Sequence, residues 1–279
     1  MAVEAFAPAK INLTLHVTGR RADGYHLLDC LVAFCDVGDV IRVRSAPDLS
    51  LQVTGPKAAG VPTDGANLVL QAAQLMRPEG QGAGIVLEKH LPAAAGIGGG
   101  SSDAAAALRA LSEHWGTELP ASSDLLSLGA DVPVCMKPDS WRMEGIGETL
   151  SRVSALPQCE ILLVNPGVSV STPAVFRSLT SPANAPMPRE LPHWKTAAEL
   201  AHWLGGQRND LQAPAIALQP VIGSVLEVLE ATGALFWAMS GSGATCFALF
   251  PPKSGEARRA SEAIRAAQPE WWAAAGRLL

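Results

Sequence analysis

The sequence predicts an α+β fold in two domains. Three observations point there. The first 55 residues read mostly as strands, several of them alternating apolar and polar side chains with period two. An alanine-rich stretch beyond residue 100 places apolar residues at helical spacing. Later strands and helices mix without regular β-α-β alternation, which argues against a doubly wound sheet. A chain of 279 residues can bury a large core without disulfide or metal. The expected boundary lies near residue 155, giving segments 1–155 and 156–279 that each hold strands and helices.

Each element has a local reason. Ile11-Asn-Leu-Thr-Leu-His-Val17 alternates as a half-buried strand does, and Val40–Arg44 and Leu49–Val53 repeat the pattern. Asn67 is placed to cap a helix running to Met76, with Leu68, Ala72 and Leu75 on one face. Gly84–Glu88 reads as a short strand. A helix follows from about Ser102 to Trp115, with Ala105, Leu108, Leu111 and Trp115 on one side. Ser122–Leu128 is a shorter helix, capped by Ser122 or Ser123. Strands return at Trp141–Met143, Glu148–Val153 and Glu160–Val164. Four prolines between Ser181 and Pro192 dictate a loop. Helices are expected at Thr196–Leu204, Asn209–Ala217 and Pro220–Ala231. A strand pair, Ala234–Met239 and Ala244–Phe250, flanks Ser240-Gly241-Ser242-Gly243, and helix Gly255–Ala267 and strand Trp272–Leu279 close the fold.

Composition narrows the function classes. Lys plus Arg number 21 against 26 Asp plus Glu, for a net charge of −5, and no basic block occurs. This argues against nucleic-acid and anionic-membrane partners but leaves room for a local anion site. Hydrophobic residues make up 48%, which excludes a disordered chain. The five cysteines are odd in number and form no C-x-x-C pair. They read as buried thiols in a reducing cytosol, neither a disulfide framework nor a zinc ribbon. The N-terminus lacks a signal-peptide pattern and no apolar run reaches the ~18 residues of a membrane span. The expected location is therefore cytoplasmic.

The most informative stretch is Pro92-Ala93-Ala94-Ala95-Gly96-Ile97-Gly98-Gly99-Gly100-Ser101-Ser102-Asp103. A strand leads into a glycine run, and the run opens into a helix. Glycines admit positive φ and let a bulky anion approach the backbone, while the free N–H groups and dipole of the helix favour phosphate. Ser101 and Ser102 add hydroxyls able to reach a phosphate oxygen or a Mg²⁺ ion. Neither a Walker lysine nor a G-x-G-x-x-G pattern is present. A plain helix cap needs one residue of the Ser-Ser-Asp type, not three preceded by three consecutive glycines.

This loop has the P-x-x-x-G-[IL]-G-[GS]-S-S form and resembles that of the GHMP kinase superfamily of small-molecule kinases. The resemblance spans nearly the whole chain: Ala7-Pro8-Ala9-Lys10-Ile11-Asn12-Leu13 near one end and Met239-Ser240-Gly241-Ser242-Gly243-Ala244-Thr245 near the other. Gly19-Arg-Arg-Ala-Asp23-Gly24-Tyr25-His26 and Gly129-Ala-Asp131-Val-Pro133 resemble the branch whose substrate is CDP-methylerythritol, an intermediate of the non-mevalonate isoprenoid route. Two departures occur, the bland Ala93-Ala94-Ala95 and Ala33 where a polar residue is usual. The resemblance implies a two-domain α+β fold with ATP and substrate in the cleft between halves. It also implies phosphoryl transfer from ATP, with Mg²⁺, to the 2-hydroxyl of CDP-methylerythritol.

Asp131 stands in the apolar stretch Leu128–Val134, where a carboxylate needs a partner or a role as a cap. The resemblance supplies Lys10 as that partner and makes the two the catalytic pair. Pro92 through Ser102 would hold ATP, and Asn67 is either a nucleoside contact or only a helix cap. Tyr25, the one tyrosine of the chain, and His26 would receive the cytosine, with Phe176 as a second aromatic. Asn12, Thr172 and Gly241 complete the expected substrate contacts. No dedicated metal site is expected; Mg²⁺ would arrive with ATP and meet Ser101 or Ser102. Alternatives are a kinase for homoserine, mevalonate or a sugar, a non-catalytic nucleotide binder, and an RNA-binding module. The run Asp23–His26, the retained Lys10 and Asp131, and the acidic charge argue against them in that order. Monomer and homodimer both remain open.

Overall fold

The computed structural model describes residues 2–279. In chain order the elements are β1 (Val3–Asn12), β2 (His16–Arg20), β3 (His26–Ala46), β4 (Ser50–Thr54), α1 (Leu68–Met76), β5 (Gly82–Glu88), α2 (Gly99–Trp115), α3 (Ser122–Leu128) and α4 (Val132–Cys135). There follow β6 (Trp141–Gly145), β7 (Thr149–Arg152), β8 (Glu160–Asn165), α5 (Thr172–Arg177), α6 (Ala197–Gly205), α7 (Gln212–Leu218) and α8 (Val221–Glu230). Then come β9 (Phe236–Met239), β10 (Cys246–Phe250), α9 (Glu256–Ala267) and β11 (Trp272–Arg277). The mixture is α+β, as expected.

The chain forms two compact units that interleave in sequence. The first holds the residues up to Lys10, then Gly38–Ala93 and Gly98–Pro138. Within it β5 pairs antiparallel with the second half of β3 and parallel with β4. Ile41, Val43, Ile85 and Leu87 turn from these strands into a core closed by Val69 and Ala73 of α1 and Ala106, Ala107, Ala110 and Leu111 of α2. The alanines let helix and sheet approach closely. At Gly38 an added Cβ would stand 2.3 Å from Ala7 O, so no side chain fits where β3 passes β1.

The second unit holds Ile11–Val37, Ala94–Ile97 and Asp139–Leu279. Its β11-β8-β10-β9 sheet is antiparallel throughout. Helix α9 packs on that sheet through Ala257, Ser261 and Ile264, spaced for one face. A second ribbon joins the first half of β3 to β2 and β6, and β6 to β7.

Several boundaries differ from expectation. The strand Ile11–Val17 is interrupted: β1 ends at Asn12, Leu13 N donates to Leu31 O, and β2 begins at His16. Helix α2 begins at Gly99, three residues before Ser102. Low glycine propensity disguises its first turn. Helix α3 has the predicted span, but Ala121 holds its N-cap position and neither serine caps it. The short helices α4 and α5 each start with a proline in the first turn and are too brief for periodicity to reveal. Residues 181–192 form the expected loop.

Candidate active site

Gly98 holds the N-cap position of α2 in the left-handed conformation, φ 62° and ψ 21°, with no side chain capping the helix. The first amide to find an intrahelical partner is Ser102 N, which donates to Gly98 O at 2.8 Å. The N–H groups of Gly99, Gly100 and Ser101 therefore face outward from the helix end.

The glycines divide into two kinds. Gly96 and Gly98 take positive φ, 74° and 62°. A Cβ on Gly96 would lie 2.6 Å from Gly243 O, and one on Gly98 would lie 3.1 Å from Lys10 Cβ. The chain itself requires these two. Gly99 and Gly100 have no such need: their nearest neighbours would be Lys89 Nζ at 3.6 Å and Leu68 Cδ1 at 3.7 Å, ordinary contact distances. A missing Cβ there keeps the approach to the helix amides open, as bound phosphate requires.

Ser101 is partly exposed beside this approach, and a Cβ on Gly129 would stand 4.0 Å from its Oγ. Ser102 does not fit the role expected for its hydroxyl. It is fully buried one turn into the helix, and its Oγ donates to Pro8 O at 2.7 Å. Pro92 is half-buried, Ala93 and Ala94 are exposed, Ile97 is buried, and Ala95 O accepts from Thr245 N at 3.1 Å.

Lys10 Nζ meets Asp131 Oδ1 at 2.6 Å, with the lysine side chain 4% exposed and the aspartate 35%. Asp131 occupies the N-cap position of α4 but its carboxylate caps nothing, so the helix-cap reading of this residue falls away. The same lysine side chain lies under Gly98. The glycine turn at Gly98 and the ion pair are thus adjacent within the first unit.

Asn67 is a cap. Its side chain accepts from Val69 N at 2.9 Å and donates to Pro62 O at 2.7 Å. Both ends of the amide are engaged in holding α1, and the nucleoside contact gains no support.

In the second unit the glycine motif after β9 braces Gly96. Ser240 Oγ accepts from Asn12 N at 3.0 Å and donates to Gly96 O at 3.1 Å. Gly241, φ 58°, leaves no room for a Cβ, which would be 2.8 Å from Gly96 O. The need for glycine here is set by the chain's own backbone. Asn12 is buried beside it, with Oδ1 3.5 Å from that same Cβ position. Thr172 Oγ1 and Ser242 Oγ share a hydrogen bond of 2.7 Å, tying α5 to the motif.

His26 stacks on Phe176 with ring centroids 4.7 Å apart and planes 21° from parallel. Tyr25 is 63% exposed, an unusual position for so large an aromatic in a folded chain. Burial, with the nearby Arg20 guanidinium, pushes His26 below its usual range, so the ring is neutral at pH 7 with one donor and one acceptor nitrogen.

Sequence reasoning missed several supporting residues. Asn209 donates through Nδ2 to Met239 O and Gly241 O, each at 2.8 Å. Arg142 grips buried Asp29 through two nitrogens and also donates to the carbonyls of Pro188 and Arg189 in the proline-rich loop. Lys89 is buried between Asp39 and Asp103 behind the glycine turn. The available signal was limited to Asp29 and Asp39, charged residues among the apolar positions of β3.

No helix among the described residues is long and apolar enough to cross a membrane. The GHMP kinases N terminal domain matches residues 67–139 and the GHMP kinases C terminal domain matches residues 189–270. The chain is 58% identical to the 4-diphosphocytidyl-2-C-methyl-D-erythritol kinase of Ruegeria pomeroyi over the full length of both. It is 57% identical to that of Cereibacter sphaeroides over 96% of each chain. A crystal structure of 4-(cytidine 5'-diphospho)-2C-methyl-D-erythritol kinase aligns with a TM-score of 0.82 at 35% identity, covering 99% of this chain and 98% of that one. Homoserine kinase from Cytophaga hutchinsonii shares the fold at a TM-score of 0.65 and 18% identity, covering 100% of this chain and 94% of that one. With an uncapped glycine turn set against the pair of buried Lys10 and half-exposed Asp131, and with this likeness along its whole length, the chain belongs to the GHMP kinases, in the family of the 4-diphosphocytidyl-2-C-methyl-D-erythritol kinases.

Proposed function

We propose that this enzyme transfers the γ-phosphoryl group of ATP to the 2-hydroxyl of CDP-methylerythritol, giving the 2-phosphate and ADP. The observation that carries the reading is the Lys10–Asp131 pair lying directly against the glycine turn. Phosphoryl transfer asks for held phosphates, an aligned hydroxyl and a destination for its proton. Gly98 through Ser101 supply amides and a helix dipole for the phosphates. Asp131 accepts the hydroxyl proton as the new O–P bond forms and the bond to the ADP oxygen breaks. Lys10 orients the carboxylate and balances charge developing on the oxygens.

No cluster of three or more His, Cys, Asp or Glu is placed to hold a metal among the described residues. With Ser102 engaged by Pro8, Ser101 is the hydroxyl that fits Mg²⁺ carried by the triphosphate. Bound there, the ion would offset phosphate charge. Tyr25, His26 and Phe176 would hold the cytosine, the aromatic faces by stacking and the neutral imidazole by hydrogen bonding to the base edge. Residues 1–155 then carry the ATP and proton chemistry, and Phe176 and Thr172 contribute to the substrate from the remainder.

The test is Asp131→Asn assayed by ADP release with CDP-methylerythritol, mevalonate, homoserine and galactose as acceptors. Wild type should turn over the first alone. The variant should lose about 10²–10⁴ in kcat with ATP affinity preserved. Retention of more than about a tenth of kcat removes Asp131 from the chemistry.

A further inference from the structure

A charged cluster outside the reacting groups sits directly behind the phosphate turn. Asp39 on β3 is fully buried, and Lys89 and Asp103 are 4% and 3% exposed. Lys89 Nζ contacts Asp39 Oδ2 and lies 2.7 Å from Asp103 Oδ2. The other oxygen of Asp39 accepts from His90 N at 2.5 Å and Leu91 N at 2.9 Å. The lysine's own backbone is held too: its N–H donates to Thr54 O at 2.8 Å and its carbonyl accepts from Lys57 N at 3.0 Å.

The topology gives this cluster a purpose beyond stability. A buried ion cluster is a poor source of stability, because desolvation consumes most of the attraction. Here it joins both ends of one segment. Leu91, where the glycine segment begins, hangs from Asp39; Asp103, in the second turn of α2, is tied to Lys89. The glycine turn runs between those two anchors. A Cβ on Gly99 would meet Lys89 Nζ at 3.6 Å, so the ammonium lies immediately beneath the first helical residue. Its side chain is only 5% exposed and faces two carboxylates, which keeps it from serving as a phosphate ligand in the manner of a Walker lysine.

We propose that Lys89, with Asp39 and Asp103, is a positioning device for the phosphate turn. It holds the amides of Gly99, Gly100 and Ser101 in their binding arrangement before ATP arrives, and so sets ATP affinity without touching the transferred proton. Pre-organisation of this kind removes the ordering cost that a flexible glycine segment would otherwise pay on binding. The inference rests on the reading that this turn holds the ATP phosphates.

Three full-length variants test it: Lys89→Met, Lys89→Arg and Asp103→Asn. Steady-state kinetics would be read against each substrate, with amide hydrogen exchange of residues 98–104 in the absence of nucleotide. Lys89→Met should raise the KM for ATP by about tenfold to a hundredfold. The KM for CDP-methylerythritol should hold, as should kcat at saturating ATP, and amide exchange in the turn should accelerate. Lys89→Arg, which keeps a cation able to bridge two carboxylates, should restore most of the ATP affinity. Asp103→Asn should fall between the two. Where Lys89→Met fails to fold, the arginine and asparagine variants still decide. An Asp103→Asn protein with unchanged exchange and unchanged KM for ATP overturns the proposal. So does a parallel loss in both KM values and kcat, the mark of a general structural defect. Gly100→Ala is the control for the underlying reading. If it weakens ATP while the Lys89 and Asp103 variants do not, only the positioning role falls; if it leaves ATP binding intact, the phosphate turn falls first.

Discussion

Gly100→Ala separates a ligand-binding glycine from a structural one. Gly100 lies in the first turn of α2 with no positive φ, and a Cβ there would meet only Leu68 Cδ1 at 3.7 Å. The protein itself therefore has room for alanine. Glycine inside a helix costs about 0.5–1 kcal/mol relative to alanine. Near a helix end the lower figure applies, so the variant should be stabilised by about 0.5 kcal/mol. For a chain of this size that is a rise in Tm of roughly 1–2 °C. The same methyl group would intrude on the approach to the uncapped amides, and ATP affinity should fall by about 1.4 kcal/mol or more, a factor of ten. Differential scanning calorimetry of the free protein and calorimetric titration with a non-hydrolysable ATP analogue measure the two effects. The expected result is opposite signs: a more stable protein that binds ATP less well. A less stable protein with a matching loss of binding would mean that Gly100 serves the fold, and unchanged binding would refute the phosphate turn. Gly96→Ala is the contrast, because its Cβ would lie 2.6 Å from Gly243 O and should cost stability outright.

Two further predictions concern the nucleobase. Tyr25→Ala removes an exposed ring, and since stacking on a base is worth roughly 1–3 kcal/mol, CDP-methylerythritol should bind one to two decades more weakly. The ATP analogue should be indifferent; the reverse pattern in titration calorimetry would mean the two nucleotides exchange places. The pH dependence follows from His26, which burial and Arg20 hold below the usual 6.5. A histidine with a lowered folded value favours its neutral form, so its contribution is complete above the ordinary histidine range and fades as pH falls through the lowered value. The KM for CDP-methylerythritol should therefore be flat from pH 8 to 6.5 and rise below that, with His26→Asn abolishing the rise. A profile that is the same in both proteins removes His26 from base recognition.

Much of the fold is written in short-range pattern. The span of α1 and its Asn67 cap, the extent of α3, and the β9–β10 pair around a Gly-Ser-Gly turn all follow from periodicity and capping chemistry. These depend on neighbours within a turn or two, which is why one strand or helix can be read in isolation. The glycine turn is legible for the same reason: its glycines, serines and helix are consecutive. Even so, its serines are not equivalent. Ser102 points at Pro8, a partner that no local pattern identifies.

The sequence by itself determined which residue types the proposed chemistry draws on: a lysine, an aspartate, a glycine turn and an adjacent tyrosine and histidine. Tertiary structure decides how they come together, which local pattern does not encode and the family resemblance only implied. Lys10 and Asp131 are far apart in the chain and meet because the end of β1 passes beside the turn before α4. Ser240 braces Gly96 through a hydrogen bond to its carbonyl, and Lys89 lies paired with Asp39 and Asp103 beneath Gly99. The two compact units interleave, with β3 crossing from one to the other at Gly38. Local propensity acts over a few residues, whereas these pairings are set by which buried charges and backbone groups must satisfy one another once the core has closed.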